Sequence, residues 1–311
     1  MFKHYKTIFF AAIFSLVAVT LVISCNNKSD KEKQQTILEG EATVYVDESF
    51  QYLMEDQVEV FESQYNAKIN LVTKTETEII NLMLTGKTDL AILSRKLSDQ
   101  EENYFKNKGI TPKITHFASD AVVFITGKTA KDTLIDLQQV MDLMQGKPSS
   151  ISNLVFENPN SGTVSYMHRL AGISEANANL YYLKSDKEVI EFVAKNPQSI
   201  GVIGLSPIVQ PFPESKDYLE SVAVMSVKNV KSAPHSASYY KPSQHNLGEG
   251  LYPLKRSIYM LNYQGSAALG MGFASFVAGD IGQRIVLKSE LLPVVIPQRN
   301  ISIRKEIINN K

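Results

Sequence analysis

Three consecutive residues, Ser161, Gly162 and Thr163, have the chemistry and the setting to hold a small anion. Residues 156–160 (FENPN) precede them, and their proline and asparagines discourage helix and strand. Residues 164–173 follow with apolar side chains at helical spacing. Free backbone N–H groups at a helix N-terminus, together with Ser and Thr hydroxyls, would bind an oxyanion. An ordinary helix cap is the alternative interpretation of the same residues.

The remaining residue patterns do not predict an enzyme. The 5 histidines and the single cysteine show no spacing typical of a metal site. The chain contains neither a G-x-S-x-G elbow nor a P-loop. Adjacent carboxylates such as Glu76 with Glu78, and Glu101 with Glu102, are typical of a solvated surface. The sequence therefore predicts recognition without chemistry and without a cofactor or a metal.

The beginning of the chain resembles a bacterial lipoprotein signal. A short basic start is followed by an almost wholly apolar stretch over residues 8–24 and then by Cys25. We expect residues 1–24 to be a signal peptide and Cys25 to be lipidated, with residues 25–37 forming a flexible tether. A transmembrane anchor is the alternative. The expected location is the bacterial cell envelope, facing the periplasm or the cell surface.

The mature body predicted in this way is nearly neutral. Lys3 and Lys6 are lost with residues 1–24, so 32 basic residues become 30 against 32 acidic ones. No basic patch interleaved with aromatic residues is present, which argues against nucleic-acid binding. The chain that remains after the tether is long enough to form two lobes.

The elements that must position the candidate residues alternate between strand and helix. Strands are predicted over residues 42–46, 69–73 and 90–93, with helices over 49–65 and 77–84. This βαβαβ order predicts a parallel sheet with right-handed crossovers. Ligands in such sheets gather at the carboxyl ends of strands, which is where Ser94 and Arg95 fall.

The order of segments resembles the phosphate-binding proteins of ABC transporters, which are type II periplasmic binding proteins. The resemblance extends over about residues 40 to 295. Six segments carry it: 86–97 (GKTDLAILSRKL), 117–123 (FASDAVV), 158–163 (NPNSGT), 196–204 (NPQSIGVIG), 252–259 (YPLKRSIY) and 276–291.

The resemblance implies an α/β fold of two lobes, each a mainly parallel sheet flanked by helices. Two crossing strands would join the lobes, near residues 120–126 and 252–261. Lobe one would then combine 38–119 with 256–311, and lobe two would span 120–255. Closure would be a hinge motion that places donors from both lobes on one anion.

The resemblance also implies which residues bind the ligand. They are Ser49, Phe50, Ser94, Arg95, Asp120, Ser161, Gly162 and Thr163. Arg95 would supply the counter-charge as a two-pronged donor. Asp120 would accept a proton from a monoprotonated oxyanion. Arg256, in the return segment, fits either a hinge position or a surface strand.

Two features depart from the family pattern. Glu157 stands where the family usually has Arg, and the loop Asp47-Glu48-Ser49 is more acidic than the family's version. The predicted function is capture of inorganic phosphate by a monomer, for the membrane subunits of an ABC transporter. The alternatives are another oxyanion, a ligand with a cationic end, or a surface lipoprotein that uses the fold for sensing or protein contact.

Overall fold

The computed structural model describes residues 36–211 and 213–298. The expected signal peptide, Cys25 and most of the expected tether lie outside these residues. Within them, no helix is long and apolar enough to cross a bilayer.

The elements alternate along the chain much as the sequence pattern predicts. The strands are β1 (Gly40–Asp47), β2 (Ala67–Lys74), β3 (Leu90–Leu93), β4 (Lys113–Gly127), β5 (Leu134–Asp136), β6 (Leu154–Phe156), β7 (Leu180–Tyr182), β8 (Gly201–Gly204), β9 (Val222–Val224), β10 (Ser226–Lys228), β11 (Tyr239–Tyr240), β12 (Lys255–Asn262) and β13 (Leu292–Pro293). The helices are α1 (Gln51–Gln64), α2 (Glu76–Leu84), α3 (Asp99–Lys106), α4 (Leu137–Met144), α5 (Gly162–Ala171), α6 (Asp186–Lys195), α7 (Ser206–Val209), α8 (Lys216–Leu219), α9 (Gln244–Gly248), α10 (Leu269–Ala278) and α11 (Asp280–Lys288). The expected helix over 49–65 thus begins as a 3₁₀ turn, Glu48–Phe50.

The principal sheet has the strand order β2-β1-β3-β12-β4-β8-β6-β7. Strands β2, β1 and β3 are mutually parallel, and so are β8, β6 and β7. Between these groups, β12 runs antiparallel to β3 and β4, and β4 runs antiparallel to β8. The sheet therefore consists of two parallel parts, the β1 part and the β6 part, joined through two antiparallel strands.

Strand β4 belongs to both parts of the sheet. Residues 113–121 pair with β12, whereas residues 122–125 pair with β8. Arg256 of β12 lies directly opposite Asp120 in this ladder. The two crossing strands implied by the family resemblance correspond to β4 and β12. The exact lobe boundaries, 38–119 with 256–311 and 120–255, stay a prediction.

The strand ends are positioned by buried strands and by capped helices. All four residues of β3 and all four of β8 are buried. Thr75, the residue before α2, accepts a hydrogen bond from the backbone N–H of Glu78, whose carboxylate in turn accepts from the Thr75 N–H. Such a capping box fixes where a helix begins. The first residue of α2, Glu76, is thereby held at the carboxyl end of β2.

The apolar core is continuous from one part of the sheet to the other. One cluster of buried side chains includes Phe50 and Phe61 near β1 as well as Phe156 and Val189 near β6. A second, smaller cluster lies between the β1 part and helices α2 and α3, with Ile79 among its members. The β1 part thus has helices on both of its faces, as expected for an α/β sheet.

Candidate ligand-binding cleft

The carboxyl ends of the two parallel parts of the sheet meet at one place. A Cβ built on Gly162, at the start of α5, would lie 2.8 Å from Ser94 Oγ and 2.9 Å from Asp47 Oδ2. Ser94 follows β3 and Asp47 ends β1, so both come from the β1 part. Gly162 is the first residue of α5, which follows β6 in the chain. We call the junction between them the cleft.

On the β1 side of the cleft, Ser94 and Arg95 are paired with a carboxylate of the chain itself. Ser94 Oγ donates to Glu76 Oε2 at 2.8 Å, and Arg95 Nε donates to Glu76 Oε1 at 3.2 Å. Glu76 is 1% exposed, so its assignment to the solvated surface was wrong. Arg95 also holds Glu101 with two hydrogen bonds, of 2.7 and 2.8 Å. Its pKa is raised by Glu101 and Glu76 despite the burial that would lower it.

Asp47 and Ser49 form the floor of the same side. Asp47 Oδ1 accepts the backbone N–H of Ser49 at 3.0 Å, which begins the 3₁₀ turn. Burial, and then the nearby charge of Glu76, raise the pKa of Asp47. Phe50 is fully buried, and its ring lies 5.2 Å below the guanidinium carbon of Arg256.

On the β6 side, Ser161 is the N-cap of α5. Its Oγ accepts a hydrogen bond from the backbone N–H of Val164 at 3.2 Å. The helix-cap interpretation of Ser161 is therefore correct as far as its hydroxyl oxygen acts as an acceptor. Burial raises the pKa of Glu157 to about 7, although the hydroxyls of Thr163 and Ser161 beside it favour its charged form. Glu157, which stands where the family usually has arginine, is thus buried beside Ser161 and Thr163.

Arg256 is the most deeply buried cation of the cleft. It is 2% exposed, so the surface-strand alternative for this residue is wrong. Its Nε and Nη2 donate to Asp120 Oδ2 at 3.0 and 2.7 Å, and its Nη1 donates to Thr163 Oγ1 at 3.1 Å. Burial alone would lower the pKa of Arg256, but Asp120 and Asp47 raise it above its usual value. Arg256 thus connects β4, β12 and α5.

Carboxylates outnumber cations in the cleft. Within the described residues, four buried carboxylate oxygens have no hydrogen-bond partner: Asp47 Oδ2, Asp120 Oδ1, Glu157 Oε1 and Asp186 Oδ1. Burial, and then the charge of Glu157, raise the pKa of Asp186. A buried ionised carboxylate with too few partners is costly, so Asp47, Glu157 and Asp186, whose pKa values are raised, favour either protonation or a ligand that carries hydrogen-bond donors.

The structure brings the residues proposed from the sequence into one region, and their binding roles stay predictions. Seven of the eight are buried, and Arg95 is partly exposed. Sequence reasoning missed Glu76, Asp186 and the central place of Arg256. The capping-box pattern of Thr75 and Glu78 was the one signal in the sequence from which a helix beginning at Glu76, directly after a strand, could have been predicted. No pattern in the chain could reveal that Arg256 lies opposite Asp120, because that pairing depends on strand register.

The cleft offers hydroxyls, guanidinium groups and carboxylates, all of which can form hydrogen bonds with a small polar solute. Across the described part of the chain, no group of three or more His, Cys, Asp or Glu side chains has the arrangement of a metal site.

Two parallel parts of a sheet, joined by antiparallel crossing strands and with polar groups where their carboxyl ends meet, define a two-lobed α/β solute-binding protein of type II. The chain matches the PBP superfamily domain over residues 31–280, and it belongs to that family. The family resemblance inferred from the sequence is confirmed.

Individual relatives are distant in sequence. The phosphate-binding protein PstS of Staphylococcus saprophyticus is 23% identical over 206 residues, which cover 62% of this chain and 60% of that protein. A Clostridium perfringens structure, described as a phosphate ABC transporter substrate-binding protein with bound phosphate, aligns with a TM-score of 0.65 and 19% identity. The alignment covers 100% of that structure's chain and 82% of this chain. An ABC-type phosphate transport receptor from Vibrio cholerae aligns with a TM-score of 0.61 and 16% identity, over 82% of this chain and 100% of that one.

Proposed function

We propose that this protein is a lipid-anchored, monomeric solute-binding protein of the cell envelope that captures a small oxyanion, inorganic phosphate first among them, between its lobes. It delivers the anion to the membrane subunits of an ABC transporter and performs no chemistry on it. Lipidation of Cys25 holds it at the membrane, and a Cys25→Ser variant should therefore be released into the soluble fraction. The names of the relatives support phosphate as the ligand.

One observation carries this proposal: the close approach of Gly162 to Ser94 and Asp47. It brings hydroxyls from both parts of the sheet to the N-terminus of α5, where backbone N–H groups and the helix dipole favour an anion. Arg256 adds a second guanidinium to that of Arg95, so the cleft has one more cationic donor than the sequence suggested. A protonated phosphate oxygen would find an acceptor in the unpaired Asp47 Oδ2.

Calorimetry on residues 26–311 with phosphate and with sulfate tests the proposal. We expect heat with phosphate that disappears in Arg95→Ala and weakens in Ser161→Ala. Arg284→Ala is a matched control, because Arg284 is an exposed arginine paired with Asp280 on α11. Unchanged binding by the Arg95 variant would refute the charge role of that residue. A flat titration with every anion would refute oxyanion capture and favour the alternative of a protein-contact scaffold.

A ligand with a cationic end is the second candidate, and the four unpaired carboxylate oxygens favour it. An ammonium group would supply both the missing donors and the missing positive charge. The variant Glu157→Arg separates the two candidates, since it restores the residue usual in the phosphate-binding family. We expect it to tighten phosphate binding if the ligand is the oxyanion. If the ligand is cationic, it should instead abolish the heat seen with a small diamine in the unmodified protein.

A further inference from the structure

The carboxylate of Glu76 lies among residues that a bound oxyanion would need. Glu76 is the first residue of α2 and is 1% exposed. Its Oε2 accepts from Ser94 Oγ at 2.8 Å, and its Oε1 accepts from Arg95 Nε at 3.2 Å. Both donors belong to the set expected to bind the ligand. The chain therefore satisfies them with a group of its own.

The same carboxylate faces the opposite side of the cleft. A Cβ built on Gly162 would lie 3.1 Å from Glu76 Oε2, so this carboxylate is next to the N-terminus of α5. Arg169, also on α5, has its Nη1 4.0 Å from Glu76 Oε1. Glu76 thus lies between the two parts of the sheet, where it can attract groups from both.

A purely structural role does not account for this placement. Arg95 already has a bidentate partner in Glu101, at 2.7 and 2.8 Å, so it does not need Glu76 to balance its charge. Taking a second carboxylate out of water costs free energy that a partly exposed pair does not fully return. The unpaired Asp47 Oδ2 beside Gly162 adds further repulsion.

We propose that Glu76 is a tethered stand-in for the oxyanion: it occupies the donors of Ser94 and Arg95, holds the cleft closed without external ligand, and must be displaced when phosphate binds. This inference rests on the proposed function for the last step only. Carboxylate and phosphate oxygens accept from the same donors with similar geometry. A group attached to the chain competes at a high effective concentration, on the order of millimolar or above. Glu76 would therefore set the lowest phosphate concentration to which the protein responds.

Glu76→Ala and Glu76→Gln test this inference, with Glu102→Gln as a control. Glu102 is an acid of α3, where it pairs with Lys106 on the helix surface. Phosphate affinity would be measured by calorimetry and the radius of gyration by X-ray scattering, with and without phosphate. Formate is a third probe, since it replaces the deleted carboxylate without any need for phosphate binding.

We expect Glu76→Ala to bind phosphate at least roughly tenfold more tightly, because each hydrogen bond to a charged group is worth about one decade. Without ligand it should have a larger radius of gyration than the unmodified protein, and formate should reverse that expansion. Glu76→Gln should also bind phosphate more tightly and expand without ligand, and Glu102→Gln should do neither. The stand-in role is overturned if both Glu76 variants match the unmodified protein in radius and Glu76→Ala does not respond to formate. If both variants expand and Glu76→Ala responds to formate but no form binds phosphate, the stand-in role holds and the phosphate function fails.

Discussion

Individual residues in the cleft show an unequal balance of buried charge. Arg256 is central, because its guanidinium donates to Asp120 and to Thr163 while its pKa stays above the usual value. The guanidinium of Arg95 forms ion pairs with both Glu76 and Glu101. Asp47, Glu157 and Asp186 have raised pKa values, all with burial as the largest cause. The charge that the cleft presents therefore depends on the protonation state of these acids.

Glu157 should make the folding stability depend on pH. Its folded pKa of about 7 lies above its ordinary value of 4.5, so the folded state retains a proton that the unfolded chain releases. The free energy of unfolding should fall as the pH rises from 4.5 through 7, by up to about 3 kcal/mol from this group. Glu157→Gln should remove that part of the slope, and urea denaturation at several pH values would measure it.

Glu101→Gln is the control for this experiment. The pKa of Glu101 is lowered to about 2 by its hydrogen bonds to Arg95 and Ser98, against the effect of burial. The contribution of Glu101 to the free energy of unfolding is lost only as the pH falls from 4.5 toward 2. This range lies outside the pH range in which Glu157 changes the stability. A pH profile of Glu157→Gln parallel to that of the unmodified protein would contradict the assignment.

At the level of elements, helix N-termini control which groups reach the cleft. Helix α5 begins at Gly162 with Ser161 as its cap, and α2 begins at Glu76 with Thr75 as its cap. The hydroxyl oxygens of these caps accept hydrogen bonds from backbone N–H groups of the first helical turns. Because the caps are short, the first residues of the two helices face each other. Helix α5 approaches this closely because Gly162 has no side chain.

Gly162→Ala should prevent full closure of the cleft. The added methyl group would lie 2.8 Å from Ser94 Oγ and 2.9 Å from Asp47 Oδ2, both on short, buried side chains. Overpacking of this kind costs about 1–3 kcal/mol, so ligand affinity should fall by roughly tenfold or more. X-ray scattering with ligand would show whether the radius of gyration increases.

Gly248→Ala provides the matched control for that substitution. A methyl group on Gly248, at the end of α9, would meet only Leu292 Cδ1, at 3.8 Å, within 4 Å. It should leave both affinity and radius unchanged. Equal binding by the Gly162 and Gly248 variants would show that closure does not depend on this contact.

At the scale of the whole molecule, the two parts of the sheet share one strand and one core. Strand β4 pairs with β12 along its first half and with β8 along its second. The hydroxyl of Tyr252, in the segment before β12, donates to the Val122 carbonyl at 2.8 Å, close to the change of partner. The apolar cluster that contains Phe61 also contains Phe156. Unfolding of one part would therefore expose packed surface of the other.

We expect the protein to unfold in a single cooperative transition. The chain has no tryptophan, so one can be introduced at Tyr65 near β1 and, in a second variant, at Tyr182 near β6. The two fluorescence curves in urea should coincide with each other and with circular dichroism. Separate midpoints would show that the two parts unfold independently.

The amino-acid sequence by itself determined the alternation of strands and helices, the family and the start of a helix at residues 161–163. These follow from local periodicity, from caps and from short motifs, all of which involve residues close together in the chain. The tertiary structure alone decided that Glu76 is buried against Ser94 and that Arg256 pairs with Asp120, because both contacts join distant segments. A carboxylate at a helix start looks the same in the sequence whether it meets solvent or another strand end. Its burial, and therefore its charge chemistry, depends on which residues face it across the cleft.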